Sequence, residues 1–155
     1  MIRIGLTGSI ATGKSETAKL FAQAGIPVVD SDAIVHGLYA KGGAAVAPIG
    51  ALAPAAVVDG AIDRKILSQA MAEDPALLPR VETIVHPLVW AAQLAFLDAA
   101  RRGGADMAVL DIPLLFEKRR EKNVDKIVVT TCPPELQRER ALARPGMTVE
   151  KLAWI

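Results

Sequence analysis

"GSIATGKS", residues 8–15, places Gly8 and Gly13 around four intervening residues, Ser9, Ile10, Ala11 and Thr12, and runs straight into Lys14 and Ser15. The spacing is the phosphate-loop pattern G-x-x-x-x-G-K-[ST]. Its glycines let the backbone turn tightly, so that successive N–H groups point inward at phosphate oxygens. A lysine at position 14 reaches the outer phosphates, and the Ser15 hydroxyl can ligate Mg²⁺. Ala11 and Glu16 occupy positions that the pattern leaves free. Context supports the match: Ile2-Arg3-Ile4-Gly5-Leu6 reads as a short strand, and Lys14 to Ala24 carries Ala18, Phe21 and Ala22 at helical spacing. An anion in the loop would therefore sit at a helix N-terminus, where orphan amides and the helix dipole favour negative charge.

Outward from the loop, Gly25 ends the first helix and Ile26-Pro27-Val28-Val29-Asp30 reads as a second strand. Met107 to Asp111 and Lys126 to Thr130 are further strands, short and nearly continuously apolar, as expected of parallel strands buried on both faces. Alternating strands and helices predict an α/β sheet. The roughly 75 residues between the second and third strands read as helices. Asp63 caps one with Ile66, Leu67, Ala70 and Met71 in a stripe. Asp74-Pro75 starts another with Leu77, Leu78, Val81, Ile84 and Val85, and a third starts near Pro87 and runs to Arg101-Arg102. This stretch is too long for a plain crossover and predicts a helical insertion covering one side of the site. Thr148 reads as the cap of a last helix reaching Trp154-Ile155.

With 155 residues the chain is one domain with room for a small insertion. A net charge of +1 argues against a nucleic-acid binder. Cys132 is the single cysteine, which excludes an internal disulfide framework and fits a reducing compartment. It lacks a nearby base and reads as buried and inert. No uninterrupted apolar run reaches about 18 residues and no secretory pattern opens the chain, so a cytoplasmic, soluble protein that binds no membrane is expected. A monomer is the favoured state.

Ligands of an open parallel sheet bind beyond the carboxyl ends of its strands. Those ends carry the phosphate loop, Asp30-Ser31-Asp32, Asp111 and Thr130-Thr131. Asp32 is placed to accept the proton of an attacking hydroxyl, and Asp30 to cap the helix that starts near Ala33. Asp111 is either an acid that holds Mg²⁺ or a structural loop carboxylate. Arg140 and Arg144, four apart, share a helix face that either reaches phosphate or is simply solvated. Lys118 to Lys122 reads as a solvated loop without interleaved aromatics. His86 has no second histidine at metal-ligand spacing and reads as a packing or capping residue.

"GLTGSIATGKS" (5–15), "VVDSDAIVH" (28–36), "DGAIDRKIL" (59–67), "IVHPLV" (84–89), "VLDIPLLFE" (109–117) and "QRERALAR" (137–144) occur in the order of the dephospho-CoA kinase family, which the sequence resembles over almost its whole length. The resemblance implies an α/β fold with a P-loop NTPase three-layer core and parallel sheet, a helical substrate-binding insertion and a lid. The divisions would be residues 1–32 and 105–134 for the nucleotide-binding core, 33–104 for the insertion that holds the CoA precursor, and 135–155 for the lid region. It implies transfer of the γ-phosphate of Mg-ATP to the ribose 3′-hydroxyl of dephospho-CoA. By position, Gly8 to Ser15, with Glu16 and Arg144, belong to ATP binding, and Ser15 and Asp111 to Mg²⁺. Lys14, Asp32 and Arg140 would be catalytic; Asp32, Arg64, His86 and Leu114 would lie on the substrate side. Where the family usually has arginine after its "DxD" and "HPxV" motifs, this chain has His36 and Trp90. A neutral Trp cannot replace a bidentate arginine, although it can stack on a base. The family's chains continue several tens of residues further, so the lid region reads as truncated.

Two other readings stay open at this level. One is a kinase of the same architecture acting on a nucleoside monophosphate or a sugar acid. The other is a nucleotide-dependent switch, for which Lys122-Asn123-Val124-Asp125 is not the guanine motif N-K-x-D.

Overall fold

The structure is a computed structural model that describes residues 1–154, and it divides into two compact units. One comprises Met1–Val29 and Ala99–Ile155, the other Asp30–Asp98.

In the first unit, β1 (Ile2–Gly8) leads through the loop to α1 (Lys14–Gln23), and β2 (Val28–Asp30) follows. α1 ends in a Schellman arrangement: the Ile26 N–H reaches the Phe21 carbonyl at 3.1 Å across Gly25, whose φ of 78° is one that glycine adopts without strain. Four strands are hydrogen-bonded in the order β2, β5 (Met107–Asp111), β1, β6 (Lys126–Thr130). β1 runs parallel to both neighbours, with Leu6 opposite Asp111 and Gly8 opposite Thr130.

Side chains alternate across β1. Ile4 and Leu6 face Ala18 and Phe21 of α1, and Val109 joins them. Ala22, read with that stripe, is exposed. Gly5 faces the other way, and a Cβ there would come within 2.7 Å of the buried Leu115. The expectation of strands buried on both faces holds for β1 and β5. It fails for β6, which pairs along one edge only and leaves Ile127 and Val129 exposed.

The second unit holds α2 (Ser31–Tyr39), α3 (Val46–Leu52), the hairpin strands β3 (Val57–Val58) and β4 (Ala61–Ile62), α4 (Arg64–Glu73) and α5 (Leu77–Arg102), whose last residues from Ala99 count with the first unit. Its core gathers Ala45, Ile49, Ala53, Ala56, Ile62, Leu67, Leu77, Val81 and Val85. The sequence reading of this stretch as helices alone misses the hairpin. Its signal is Asp59-Gly60, both at positive φ (52° and 80°) as a type I′ turn requires. Leu78, assigned to an apolar stripe, is exposed instead.

A second correction concerns Pro87. It does not begin a helix but lies inside α5, which continues through it for 26 residues. Pro87 offers no N–H to the Thr83 carbonyl, a loss on the order of 3 kcal/mol with the ring's clash included. Burial of Leu77, Val81, Val85 and Leu97 along the same helix outweighs it at about 1.5–3 kcal/mol per side chain. By length and composition alone α5 could also cross a bilayer, although charged residues interrupt its apolar run. Leu77, Val81 and Val85 are the residues by which it joins the core of the second unit.

At the start of the sheet the Arg3 guanidinium donates to both carboxylate oxygens of Asp125, at 3.0 and 2.7 Å, and the Arg3 N–H adds a third bond at 2.8 Å. These bonds, the side-chain ones foremost, hold the Asp125 carboxyl well below its usual range. A depressed carboxylate contributes stability that is present above its unfolded value and lost as pH falls through its folded one. The stability gap between the wild type and Arg3→Gln, read from urea unfolding, should therefore be largest at neutral pH and shrink progressively below about pH 4. A gap that widens in acid would contradict the assignment.

Candidate active site

The loop between β1 and α1 is built so that amides, not side chains, end the helix. Gly13 is the N-cap of α1, at φ 98°, and no side chain caps the helix there. Nothing lies within 4 Å of a Cβ built on Gly13, so backbone conformation and not space demands glycine. At Gly8 the demand is space: a Cβ would collide with the Thr130 hydroxyl and come within 2.8 Å of the Thr12 hydroxyl. Those two hydroxyls are 2.8 Å apart and tie the loop to the end of β6.

Lys14 and Asp111 form an ion pair through Nζ and Oδ1. The Asp111 side chain is 5% exposed and that of Lys14 is 18% exposed. A carboxylate so far out of water needs a cation, and Lys14 at the start of α1 supplies it, the parallel register having set the end of β5 beside β1 with Leu6 opposite Asp111. The buried Thr7 fixes the segment after β5 by donating from Oγ1 to the Pro113 carbonyl at 3.1 Å. Beyond it Leu114 is half exposed. The Ser15 side chain is exposed at the start of α1, and Glu16 turns to Lys19 in a surface ion pair of 2.7 Å.

α6 (Pro134–Leu142) brings Arg140 into its last turn, exposed. Arg144 does not share its helix face. The helix closes at Ala143 because Pro145 disfavours the helical conformation for the residue before it, and Arg144 lies in the following turn. α7 (Val149–Ala153) is capped by Thr148, as its sequence indicates. A cavity of about 350 Å³ is lined by Ser9, Ile10, Pro134, Gln137, Arg138 and Leu152. Cys132 is half-buried, not buried, and its thiol points to the Ala11 carbonyl at 3.8 Å.

In the second unit Asp30 is the cap of α2, accepting from the Asp32 N–H at 2.8 Å, so the helix begins at Ser31 and not near Ala33. This leaves the exposed Asp32 in the first turn with its carboxylate outside the capping role. Gln93, buried on α5, donates to the Ser31 hydroxyl at 2.9 Å and so anchors the residue between the two aspartates. The Arg64 guanidinium lies 5.6 Å from the centre of the Tyr39 ring, a cation–π distance. Burial raises the Tyr39 hydroxyl above its ordinary value, while Arg64 opposes the shift. His86 Nε2 is 4.0 Å from Glu82 Oε1, one helical turn away.

A strand, glycine loop and helix, with a lysine paired to a carboxylate on the adjacent parallel strand, define a P-loop nucleotide-binding protein. The comparisons narrow the class. A family model described as dephospho-CoA kinase matches residues 2–155. The chain is 56% identical over all its 155 residues to a protein named dephospho-CoA kinase from Mesorhizobium japonicum, and 54% identical to one from Agrobacterium fabrum. It spans 78% and 79% of their lengths. A solved Thermus thermophilus protein superposes with a TM-score of 0.75 at 34% identity, covering 98% of this chain and 77% of that one. The fold is also that of a Campylobacter jejuni dephospho-CoA kinase, TM-score 0.73 at 23% identity, with the same coverage. The chain belongs to the dephospho-CoA kinase family.

Gln137, Gln93 and Tyr39 carry no role legible from sequence, because a polar residue on a helix gives no spacing signal for the distant residue it touches. Replacing Gly8 by Ala should weaken ATP binding more than tenfold, since the loop must give way around the new methyl group, an effect well above the cost of one lost hydrogen bond. Isothermal titration with ATP checks this, and wild-type affinity would contradict the packing described at Gly8.

Proposed function

We propose that the chain transfers the γ-phosphate of ATP to the ribose 3′-hydroxyl of dephospho-CoA, giving coenzyme A and ADP, with the residues of its phosphate loop and of the DSD turn in the leading roles. The observation that carries the reading is Lys14 beside Asp111 at the mouth of an amide-lined loop, in a chain of this kinase family. Gly8 to Ser15 hold the ATP phosphates through backbone N–H groups, and Lys14 leaves Asp111 for the outer phosphates when they arrive. Glu16, on the first turn of α1, belongs to the same side of the site. Arg140 and Arg144 neutralise charge on the transferring group, where most of the catalysis of such reactions lies.

Asp32 acts as the base. Its carboxylate takes the proton of the 3′-hydroxyl, whose oxygen bonds to the γ-phosphorus while the bond to the bridging β,γ-oxygen breaks and ADP departs. The freedom of Asp32 from the cap, which Asp30 supplies, supports this role. Arg64, His86 and Leu114 contribute to the substrate side. In this reading residues 1–32 and 105–134 are the nucleotide-binding core, 33–104 the part that holds the CoA precursor, and 135–155 the lid region.

The donors fit Mg²⁺. The Ser15 hydroxyl and the Asp111 carboxylate are hard oxygen ligands, and among the described residues no group of three His, Cys, Asp or Glu could form a protein-only cage. A cation shared with nucleotide phosphates and water needs only one or two such ligands. Bound there, Mg²⁺ would supply neutralisation of phosphate charge. The single cysteine fits a reducing, cytoplasmic setting, and a monomer is taken as the working state.

ADP release from Mg-ATP should depend on dephospho-CoA and yield CoA. Lys14→Ala should abolish it, whereas Asp32→Asn should lower kcat by about a hundredfold or more with ATP affinity nearly unchanged, as removal of a positioned base does. Equal losses of kcat and ATP affinity in Asp32→Asn would make Asp32 structural.

A further inference from the structure

A loop that binds phosphate through its amides must turn its carbonyl oxygens away from the ligand, and each oxygen so turned needs a donor on the outside. Four of these oxygens have one. The Ser9 carbonyl accepts from the Thr12 hydroxyl at 2.8 Å, and the Gly13 carbonyl accepts from the Thr17 N–H and hydroxyl at 3.0 and 3.2 Å. Those donors lie within the loop or on α1. Two of the oxygens between them are held from elsewhere. The Ile10 carbonyl accepts from Gln137 Nε2 at 2.9 Å, and the Ala11 carbonyl from the Cys132 thiol at 3.8 Å.

Gln137 uses both protons of one nitrogen here, giving the other to the Ser9 hydroxyl at 3.1 Å. The amide orientation follows from chemistry, since a carbonyl partner demands the nitrogen and not the oxygen. Between the two held carbonyls lies Ala11, buried, with φ at 60°. That is the left-handed region, which a residue with a Cβ occupies only where its surroundings impose it. The trans peptide joining Ile10 to Ala11 points its N–H opposite to its C=O. Holding the Ile10 oxygen toward α6 therefore turns the Ala11 N–H to the other side of that peptide plane.

We infer that Gln137 is a positioning residue for the phosphate loop: through its side-chain amide, α6 holds the Ile10–Ala11 peptide in the orientation that presents the Ala11 N–H to ATP phosphate. Gln137 stands three residues before Arg140, on the same face of α6. One helix thus orients the loop with a neutral amide and carries an arginine in its next turn. Without Gln137 the Ile10 oxygen loses this donor, and the peptide can rotate to put a carbonyl where an anion must sit.

The inference rests on the reading of residues 8–15 as the ATP phosphate site, and the test separates the two. Steady-state kinetics with ATP and dephospho-CoA varied independently would be run on the wild type, Gln137→Ala, Gln137→Glu and Lys14→Ala. In Gln137→Ala the KM for ATP should rise about tenfold, the consequence of one lost hydrogen bond that preorganises the site. The KM for dephospho-CoA should stay at its wild-type value. Gln137→Glu keeps the length and packing of the side chain but offers the Ile10 carbonyl no donor, so it should lose at least as much. Wild-type KM for ATP in Gln137→Glu would overturn the proposal, because packing would then suffice. So would an unchanged KM for ATP in Gln137→Ala, or an equal rise in both KM values, while Lys14→Ala is inactive. An active Lys14→Ala would overturn the phosphate-site reading itself, and the inference with it.

Discussion

The ion pair between Lys14 and Asp111 is the contact on which the site depends. Asp111 closes a central strand whose residues Ala108 to Leu110 are sealed from water, and its own side chain is almost as deeply placed. An uncompensated charge at that depth would cost several kcal/mol. The parallel register resolves the problem by setting the end of β5 against β1, so that the loop leaving β1 returns its lysine to the carboxylate. The pair also keeps the lysine ordered near the loop mouth, where a polyphosphate offers it more negative charge than one carboxylate does.

The sheet around this contact is short, and its stability is unevenly distributed. β1 and β5 hold the buried apolar side chains; β6 stands at the edge with alternate side chains exposed, yet its terminal Thr130 ties the back of the loop through hydroxyl bonds to Thr12 and to the Thr7 carbonyl. The helical unit solves a different problem. With its core made of small and medium aliphatic side chains, it fixes its polar turns by capping: Asp30 and Asp63 each accept backbone N–H bonds at the first turns of α2 and α4. These caps decide which carboxylates remain outside the local bonding. Asp30 and Asp63 are used by their own helices, and Asp32 is the aspartate of the DSD turn left over.

Local rules made much of this readable in advance. The strand, loop and helix of residues 2–23, the strands at 107–111 and 126–130, and the caps at Asp30, Asp63 and Thr148 follow from periodicity, glycine placement and capping chemistry, which act within a few residues. Where tertiary burial overrides a local rule, the reading failed. Pro87 looks like a helix start and lies mid-helix, because the apolar stripe on both sides of it outweighs the missing hydrogen bond. Arg144 differs for a local reason instead: four residues from Arg140 it looks helical by spacing, yet Pro145 ends the helix before it. The Asp59-Gly60 turn carries its own local signal, set within a stretch whose periodicity is otherwise helical. Gln137 was illegible for a deeper reason: its partner is more than 120 residues away in sequence, and only the packing of α6 on the loop brings them together.

Every proposed role at this site requires that ATP phosphates bind to the backbone amides of residues 9–15. The most direct measurement is a titration of the ¹⁵N-labelled protein with ADP, following backbone amide resonances residue by residue. Large shifts concentrated in the amides of Ala11 to Ser15, accompanied by a shift of the Asp111 amide as Lys14 leaves its carboxylate, are the predicted result. Saturable ADP binding that leaves those amides and Asp111 undisturbed would contradict it.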